Sequence, residues 1–454
     1  MNRMEEYELL RRRLSVPPDA LEGCAGRVQA RIQKRRRLRR RIQVPAGSIA
    51  AAFAAFVVLV NVSTPFAQAC ATLPLLKPLV EAVCFNPSLQ TALEHNYAQD
   101  VLASQAAEEF TVTVDAMVVD EAEIAVFYHI DCAGDAYEKI YTDNDYLNEN
   151  GQTLNAFLSF SAPLAPGEVG FDTISFPQDV PLPDAIRFTL TIRHADLPGG
   201  GRRIFQKDDY TVTFDLPIAR AEVAPSKIYH VQKWVEIDGQ KLFIDRVDVH
   251  PTHTRVYVRD DPANTAWLQM LHCTLRDENG STAGRYKNGL IATGSMEEGS
   301  AYPFSVHLES PYFWNSEHLT LEISGADWLD KETQYTTFDL STGFAQTPLP
   351  PSVYSARAYW KNETLYIASV ARRNGQATYV IASTAFHAQP GDTKITDYTA
   401  GGFLGSARDP LYVPEGYFGS SLTLPNYPYD DTVTVRWNHT HETALETPLT
   451  IPLA

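Results

Sequence analysis

Apolar and polar residues alternate along much of this chain, and this alternation predicts β-strands. In residues 110–118 every second position is apolar, and residues 124–130 form a further apolar-rich run after a polar turn at Asp120 to Glu123. A period of two is typical of a strand with one buried face. The sequence therefore predicts a β-hairpin over residues 110–130.

The same strand–turn–strand pattern recurs in residues 246–258 and 357–367. Each copy is followed by a later strand, at 188–192, 319–323 and 433–437, and by a closing strand, at 214–217, 338–340 and 449–452. Such spacing predicts a mainly β chain with about three Ig-like β-sandwich modules in tandem, at 109–218, 226–346 and 352–454. Linkers are expected at 219–226 and at the proline-rich residues 347–351, which proline would stiffen into part of a semi-rigid rod.

A helix is predicted ahead of the first module. Pro87 fits the first turn of a helix, where its missing N–H costs little. Leu89, Leu93, Tyr97 and Val101 recur at helical spacing, so the helix is expected to run to about Leu102, within a helical segment at 67–108.

An uncharged stretch further upstream predicts a membrane span. The 35 residues from Ile42 to Leu76 contain no charged side chain, and only Ser48 and Asn61 are polar in the 17 residues from Ala46 to Val62. A helix of that length spans about 26 Å, near the roughly 30 Å of a bilayer core. One transmembrane helix is therefore expected at 45–66, following a tail at 1–44.

The tail is strongly basic where it meets this segment. Residues 31–41 hold eight positive charges in eleven positions. By the positive-inside rule they hold the amino terminus in the cytoplasm and place the body outside, and they would attract anionic lipid headgroups. A nucleic-acid patch is the rival interpretation of the run. Cleavage after Ala67-Gln68-Ala69, or lipid attachment at Cys70, are alternatives to a retained anchor.

The tail also carries an apolar stripe. Leu21, Cys24, Val28 and Ile32 are spaced by three, four and four residues, and a 44-residue tail has no core for them to enter. Such a helix could lie in a groove of a cytoplasmic protein or along the membrane surface.

Charge separates the tail from the body. The tail has 13 Lys and Arg and 5 Asp and Glu, of totals of 38 and 55 in the 454 residues, so the body has 25 basic and 50 acidic residues. An acidic body of this kind argues against direct nucleic-acid binding.

No catalytic motif or metal-ligand pattern is present in the sequence, which predicts neither an enzyme nor a cofactor or metal centre. Two histidine pairs, His250 with His253 and His439 with His441, are too few for tetrahedral zinc and are expected at the surface. The acidic run at 143–149 is expected to be a solvated loop, and the glycines at 199–201 a turn.

Cys70 and Cys84 are close enough in sequence to form a disulfide. Cys132 and Cys273 are expected to be buried thiols, and Trp234, Trp360 and Trp437 to be core residues.

The order of elements from Asn61 to Tyr128 resembles one family. Asn61-Val62-Ser63-Thr64-Pro65-Phe66-Ala67, then Pro74, Leu79-Val80, the helix to Tyr97, and the run from Asp120 carry the likeness. It is a domain-of-unknown-function family of membrane-anchored proteins of Gram-positive bacteria, many of them assigned as anti-sigma factors. The resemblance covers mainly residues 10–135.

The resemblance implies a single-pass regulator at the cell membrane. Its cytoplasmic tail would sequester an extracytoplasmic-function sigma factor through Leu21, Cys24, Val28 and Ile32, and its exported β modules would sense an envelope signal. The alternative is a cell-envelope adhesion or wall-binding protein whose tail is only an anchor, with an envelope ligand that the sequence does not identify.

Overall fold

The computed structural model describes residues 87–95, 97–132, 136–207, 209–287, 289–297, 300, 302–372, 382–386, 399–403 and 410–453. The chain divides into two compact units, Met1–Cys84 and Phe85–Ala454, and every described residue belongs to the second. That part is mainly β, with several sheets in tandem, as the alternating pattern predicts. The predicted tail and membrane helix, residues 1–66, lie outside it. Between residues 87 and 453, no described helix is long and apolar enough to cross a membrane.

Helix α1, Pro87–Glu94, begins at the predicted proline but is shorter than predicted. Strand β1, Gln99–Ala107, occupies the part of the helical segment 67–108 that follows it. Val101 has helical spacing from Tyr97, yet it packs against the core of the first sandwich. Pairing with the next strand, Phe110–Val119, satisfies the backbone groups of β1 that face it, and this pairing prevails over the helical pattern.

The first sandwich has two antiparallel sheets that share an apolar core, to which Phe110, Tyr128 and Phe188 contribute. One sheet has the order β1-β2-β3-β6-β5, and in the other β7 pairs with β4, β8 and β9. Its remaining strands are β2 Phe110–Val119, β3 Glu123–Cys132, β4 Lys139–Asn148, β5 Phe157–Ser159, β6 Val169–Ser175, β7 Ala185–Asp196, β8 Arg202–Ile204 and β9 Thr211–Pro217.

The second sandwich repeats this arrangement, with sheets β10-β11-β12-β16-β15 and β14-β13-β17. Both sandwiches even share a bulge in the first strand, with positive φ at Leu102 and Gln232, each 49°. A short 3₁₀ turn, Arg220–Glu222, precedes the second sandwich. Its strands are β10 Lys227–Ile237, β11 Gln240–Val249, β12 Thr254–Asp260, β13 Ala266–Asp277, β14 Thr282–Ala283, β15 Ala292–Thr293, β16 Phe304–Leu308 and β17 Leu319–Asp330.

A third apolar core lies between sheets β19-β20-β23-β22 and β18-β24-β21. All three predicted hairpins, β2–β3, β11–β12 and β19–β20, are present. The last strands are β18 Tyr335–Asp339, β19 Val353–Lys361, β20 Thr364–Arg372, β21 Ala382–Phe386, β22 Thr399–Phe403, β23 Tyr417–Leu424, β24 Thr432–Trp437 and β25 His441–Leu453.

The second and third sandwiches exchange their closing strands, which corrects the predicted assignment. The predicted closing strand of the second module, at 338–340, overlaps β18, which pairs with β24 and buries Phe338 in the third core. The last strand of the chain, β25, instead pairs with β17 and buries Ile451 and Leu453 in the second core. Alternation identifies the buried face of a strand but not its neighbours in the sheet.

Because of this exchange, the proline-rich residues 347–351 do not connect two modules. They join β18 to β19 within the third sandwich, and Leu349 packs against its core. The chain crosses between the second and third sandwiches twice, after β17 and before β25. The predicted order of three strictly sequential modules is therefore wrong for these two strands.

Candidate functional site

Two turns meet at the boundary between the first and second sandwiches, the turn from β2 to β3 and the turn from β11 to β12. Eight buried polar side chains lie there, and we call them the polar joint: Asp120, Glu123, His250, Thr252, His253, Arg255, Tyr286 and His307. Polar groups removed from water cost free energy unless they find partners. Their hydrogen bonds therefore decide whether the joint holds.

Asp120 belongs to both sides of the joint. Its Oδ1 accepts from the N–H groups of Ala122 (2.9 Å) and Glu123 (2.8 Å), an Asx turn that closes the β2–β3 hairpin. Its Oδ2 accepts from the backbone N–H of Thr252 at 3.1 Å and from Thr252 Oγ1 at 2.5 Å. Four donors thus compensate a carboxylate that is fully buried.

Arg255 crosses in the opposite direction, from β12 into the first sandwich. Its Nη1 donates to the Phe176 carbonyl at 2.6 Å, and its Nη2 to the Ala122 carbonyl at 2.9 Å and to Ser175 Oγ at 2.8 Å. The side chain is 2% exposed. A guanidinium has five donors in a rigid fork, which suits several acceptors in one small area. Arg255 therefore fixes the position of the first sandwich on the second.

The Nε donor of Arg255 determines the tautomer of His253. Arg255 Nε donates to His253 Nε2 at 2.8 Å, so that nitrogen carries a lone pair and no proton. The proton of the neutral ring then lies on Nδ1, 2.7 Å from Thr252 Oγ1, and Thr252 in turn donates to Asp120. Arg255, His253, Thr252 and Asp120 form one directed chain from a buried cation to a buried anion.

Three imidazoles lie in a row through the joint. The ring centroids of His250 and His253 are 5.0 Å apart, and those of His253 and His307 are 5.1 Å apart. Burial lowers the pKa of His250 to about 4 and lowers the pKa of His253 and His307 well below the usual value, with Arg255 acting in the same direction. All three rings are therefore neutral at pH 7.

Glu123 is a buried carboxyl group whose pKa is shifted upwards, opposite to the shift of the histidines. Its Oε1 accepts from Tyr286 Oη of the second sandwich at 2.8 Å. Burial, together with the neighbouring Asp120 carboxylate, raises the pKa of Glu123 to about 8. The group is mostly protonated at neutral pH, which avoids burying a second negative charge next to Asp120.

Helix α1 is attached to the second sandwich beside the joint. Glu309 accepts from both the N–H and Oγ of Ser88, the former at 3.1 Å, and from the Lys287 N–H at 3.0 Å. The Ser310 N–H donates to Ser88 Oγ at 2.7 Å, and Ser310 Oγ donates to the His250 carbonyl. An open cleft of about 670 Å³ lies here, lined by residues that include Thr91, Tyr286, Lys287, Glu309 and Trp314.

The segment that connects the two sandwiches is also held. Tyr97 Oη accepts from the Ala224 N–H at 2.9 Å. Glu121 Oε2 accepts from the Ser226 N–H at 2.9 Å, and Ser226 Oγ lies 2.7 Å from His250 Nδ1. The predicted linker at 219–226 is thus tied to the first hairpin and to the joint.

These contacts fit a mechanical or proton-binding role. In the part of the chain that the structure describes, no three His, Cys, Asp or Glu side chains are grouped to hold a metal ion. The joint instead combines fixed charges with neutral titratable groups. Such an arrangement can hold two bodies together and release them when its protonation changes.

The residues predicted to bind a sigma factor, Leu21, Cys24, Val28 and Ile32, lie outside the described residues, and so do Cys70 and Cys84. Cys273 is buried on β13, as expected for a structural thiol, and burial raises its pKa to about 12. Cys132 is partly buried at the end of β3. The glycines at 199–201 form the expected turn, with positive φ at each.

Other surface predictions are wrong. His250, His253 and His439 are buried, not solvated. The acidic run at 143–149 is mostly strand β4, in which Asn144 donates to the buried Asp172 at 2.6 Å.

Of the three tryptophans expected in the core, only Trp437 is fully buried. Trp234 is 57% exposed and Trp360 is 39% exposed. Their strands pack one face inward, and these two side chains lie on the other face.

Sequence reasoning missed the joint as a whole. A signal was present, because two histidines and an arginine lie within six residues of one hairpin, from His250 to Arg255. Nothing local to Arg255 indicates that another module covers its face of β12. The joint depends on contacts between residues that are 79 to 163 positions apart.

Two family models match parts of the chain. Residues 37–131 match a family described as "Domain of unknown function (DUF4179)", and residues 226–350 match one described as "Family of unknown function (DUF5643)". Two regions of the chain are therefore similar to families of unknown function. The first match spans the predicted membrane segment, α1 and the hairpin that carries Asp120.

One solved structure is similar, "The crystal structure of the conserved domain protein from Bacillus anthracis". The identity is 13%, the alignment covers 52% of this chain and 79% of that chain, and the TM-score is 0.36. Comparison with curated proteins gives no match.

Proposed function

We propose that this protein is a single-pass membrane regulator of the anti-sigma type. Its cytoplasmic tail sequesters an extracytoplasmic-function sigma factor, and its exported β-sandwiches respond to an envelope signal. The observation that carries the proposal is the order of three sequence features: the apolar stripe of Leu21, Cys24, Val28 and Ile32, the basic run at 31–41 and the uncharged segment at 46–62. A topogenic anchor alone does not need the stripe.

The described part of the chain supports the exported half of the proposal. A signal received outside has to reach the tail through the segment that precedes α1. Ser88 of α1 is bonded to Glu309 of the second sandwich, and Glu309 lies beside the polar joint. The first described element of the chain, α1, is therefore mechanically connected to both sandwiches.

Capture of the sigma factor by the full chain tests this proposal. The full chain is co-expressed in turn with each extracytoplasmic-function sigma factor of the source bacterium and purified from solubilised membranes. We expect wild-type protein to retain the sigma factor and Val28→Asp to lose at least tenfold of it, because a charge would enter the apolar stripe. Ala30→Asp, on the opposite face of the predicted helix, is the matched control. Equal retention by all three proteins, or by none, contradicts the proposal.

An exposed aromatic group favours the alternative, wall binding. The ring centroids of Trp234 and Phe243 are 5.2 Å apart with the planes tilted at 56°, and the Arg259 guanidinium lies 4.5 Å from the Phe243 ring centroid. Tryptophan is enriched at binding surfaces, where its ring offers a broad apolar face on which a sugar can stack. This alternative predicts that the full chain binds purified cell wall and that Trp234→Ala abolishes the binding, whereas Val28→Asp has no effect.

A further inference from the structure

The polar joint holds the two sandwiches together, and its hydrogen bonds also depend on the protonation state of its histidines. Its two central charges, Asp120 and Arg255, are fixed by several hydrogen bonds each. Between them lies His253, whose Nε2 can accept from Arg255 only while that nitrogen has no proton. A proton at this atom would convert the hydrogen bond into a repulsive contact of two cations.

The neighbouring rings must also be neutral while the joint is closed. His250 and His307 flank His253 at about 5 Å, so a second imidazolium would face both the first and Arg255. The charged and titratable groups that face the row are Asp120, Glu121 and Glu123 of the first sandwich and Arg246, Asp248, Arg255, Tyr286 and Glu309 of the second. Asp248 is already bonded to Arg246 at 3.0 Å, and Asp120 to its four donors.

We propose that the polar joint is a proton-sensitive latch, which holds the first two sandwiches together while His250, His253 and His307 are neutral and releases them when these rings are protonated. Acidification of the medium outside the membrane is then a signal that the protein detects. The connection of this signal to a sigma factor rests on the proposed function, whereas opening of the latch does not.

The direction of the response follows from the pKa shifts. Burial lowers the pKa of His250 from 6.5 to about 4 and lowers those of His253 and His307 well below 6.5, so opening takes up protons below about pH 6.5. The raised pKa values of Glu123 and Glu309 act the other way, because opening releases their protons above about pH 4.5. The carboxyls therefore offset part of the response down to that pH, and the loss of the closed form is steepest between about pH 5 and pH 4.

Release would reach helix α1. Ser310 Oγ donates to the His250 carbonyl, and the Ser310 N–H donates to Ser88 of α1. The cleft lined by Tyr286 and Glu309 gives water a route to this side of the joint. Movement of the β11–β12 turn therefore changes the contacts of α1, the first helix in the described part of the chain.

Hydrogen exchange measured by mass spectrometry on the full chain tests the latch between pH 7.5 and pH 4.5. Rates are corrected for intrinsic exchange and compared with the β19–β20 hairpin as an internal reference. We expect residues 118–124 and 248–256 to lose protection together, by at least tenfold relative to the reference, because each proton taken up on opening changes the equilibrium about tenfold per pH unit.

Glutamine variants distinguish the latch from general acid unfolding. Glutamine at 253 can still accept from Arg255 and donate to Thr252, but it does not titrate. We expect His253→Gln to flatten the acid response and the triple variant His250→Gln/His253→Gln/His307→Gln to remain protected at pH 4.5. His318→Gln, a change at an exposed histidine, should keep the wild-type profile.

Two results would overturn the latch: wild-type protection that stays constant to pH 4.5, or a His253→Gln variant whose acid response equals that of wild type. If the triple variant is already open at neutral pH, the wild-type and His253→Gln profiles still decide. Loss of sigma-factor capture by the tail would leave these profiles unchanged, so the two proposals fail separately.

Discussion

Thr252 Oγ1 lies 2.5 Å from Asp120 Oδ2, although the two residues are 132 positions apart in the sequence. The hydroxyl donates to the carboxylate and accepts from His253 Nδ1, so it connects the anion of one sandwich with the imidazole row of the other. Both atoms are inaccessible to solvent. This contact makes the boundary between the two sandwiches a specific structure and not a flexible linker.

Removal of that hydroxyl should destabilise the protein. In Thr252→Val the side chain keeps its shape, but Asp120 loses a donor and His253 Nδ1–H loses its acceptor. We expect a decrease of about 1–3 kcal/mol in the free energy of unfolding, measured by urea denaturation at pH 7. Thr320→Val, at a partly exposed position of β17, is the control. Equal effects of the two changes would show that the Thr252 hydroxyl has no special role.

Arg255 should not tolerate even lysine. An ammonium cannot reach the Phe176 and Ala122 carbonyls, Ser175 and His253 together, so buried acceptors would remain without donors. We expect Arg255→Lys to cost at least about 2 kcal/mol of unfolding free energy. Arg259→Lys, where the side chain is 65% exposed, should cost little. A stable Arg255→Lys protein would contradict this account of the joint.

Glu123 should make the folded protein less stable as the pH rises. Its folded-state pKa is about 8 and its ordinary value is 4.5, so the folded state binds the extra proton and loses stability as pH rises through this window. Glu123→Gln keeps an acceptor for Tyr286 and cannot ionise. The stability difference between wild type and variant should therefore change by about 1.4 kcal/mol per pH unit between pH 5 and pH 8.

Melting temperatures across that range check this prediction, because the histidine contributions are common to both proteins and cancel in the difference. Glu332→Gln, at an exposed position, should run parallel to wild type. A constant difference between wild type and Glu123→Gln would mean that Glu123 does not titrate in this range.

The strand exchange predicts which sandwich is destabilised by a change in the last strand, β25. Ile451→Ala should cost about 2–5 kcal/mol because it opens a cavity in the second core. Hydrogen exchange should show lost protection in β13 and β17 while the third sandwich is little changed. Thr450→Ala on the same strand is the control. Loss of protection confined to β19, β20 and β23 would instead support sequential modules.

The sequence predicts the local elements of this fold well. Alternation places the three hairpins correctly, and Pro87 marks the start of α1. It fails where partners are distant, because the pattern of residues 338–340 and 449–452 is the same whichever sandwich they complete. Val101 shows the same limit, since helical spacing and a place in a sheet both fit its neighbours.

The polar joint could not be predicted from the local sequence pattern for a related reason. A polar residue on a strand is assigned to solvent unless something covers it, and the cover over Arg255 and His253 is another module. The tail stripe cannot be judged in the same way, because its residues lie outside the described part of the chain. Its role stays a prediction from sequence.

The most direct test of the regulator is transcription in the source bacterium. Deletion of the gene should raise transcripts from promoters of the partner sigma factor, and the wild-type chain supplied in trans should lower them again. Val28→Asp should fail to lower them, whereas Ala30→Asp should act as wild type. If transcript levels are the same with and without the gene, the tail is an anchor and the account of a sigma-factor regulator is wrong.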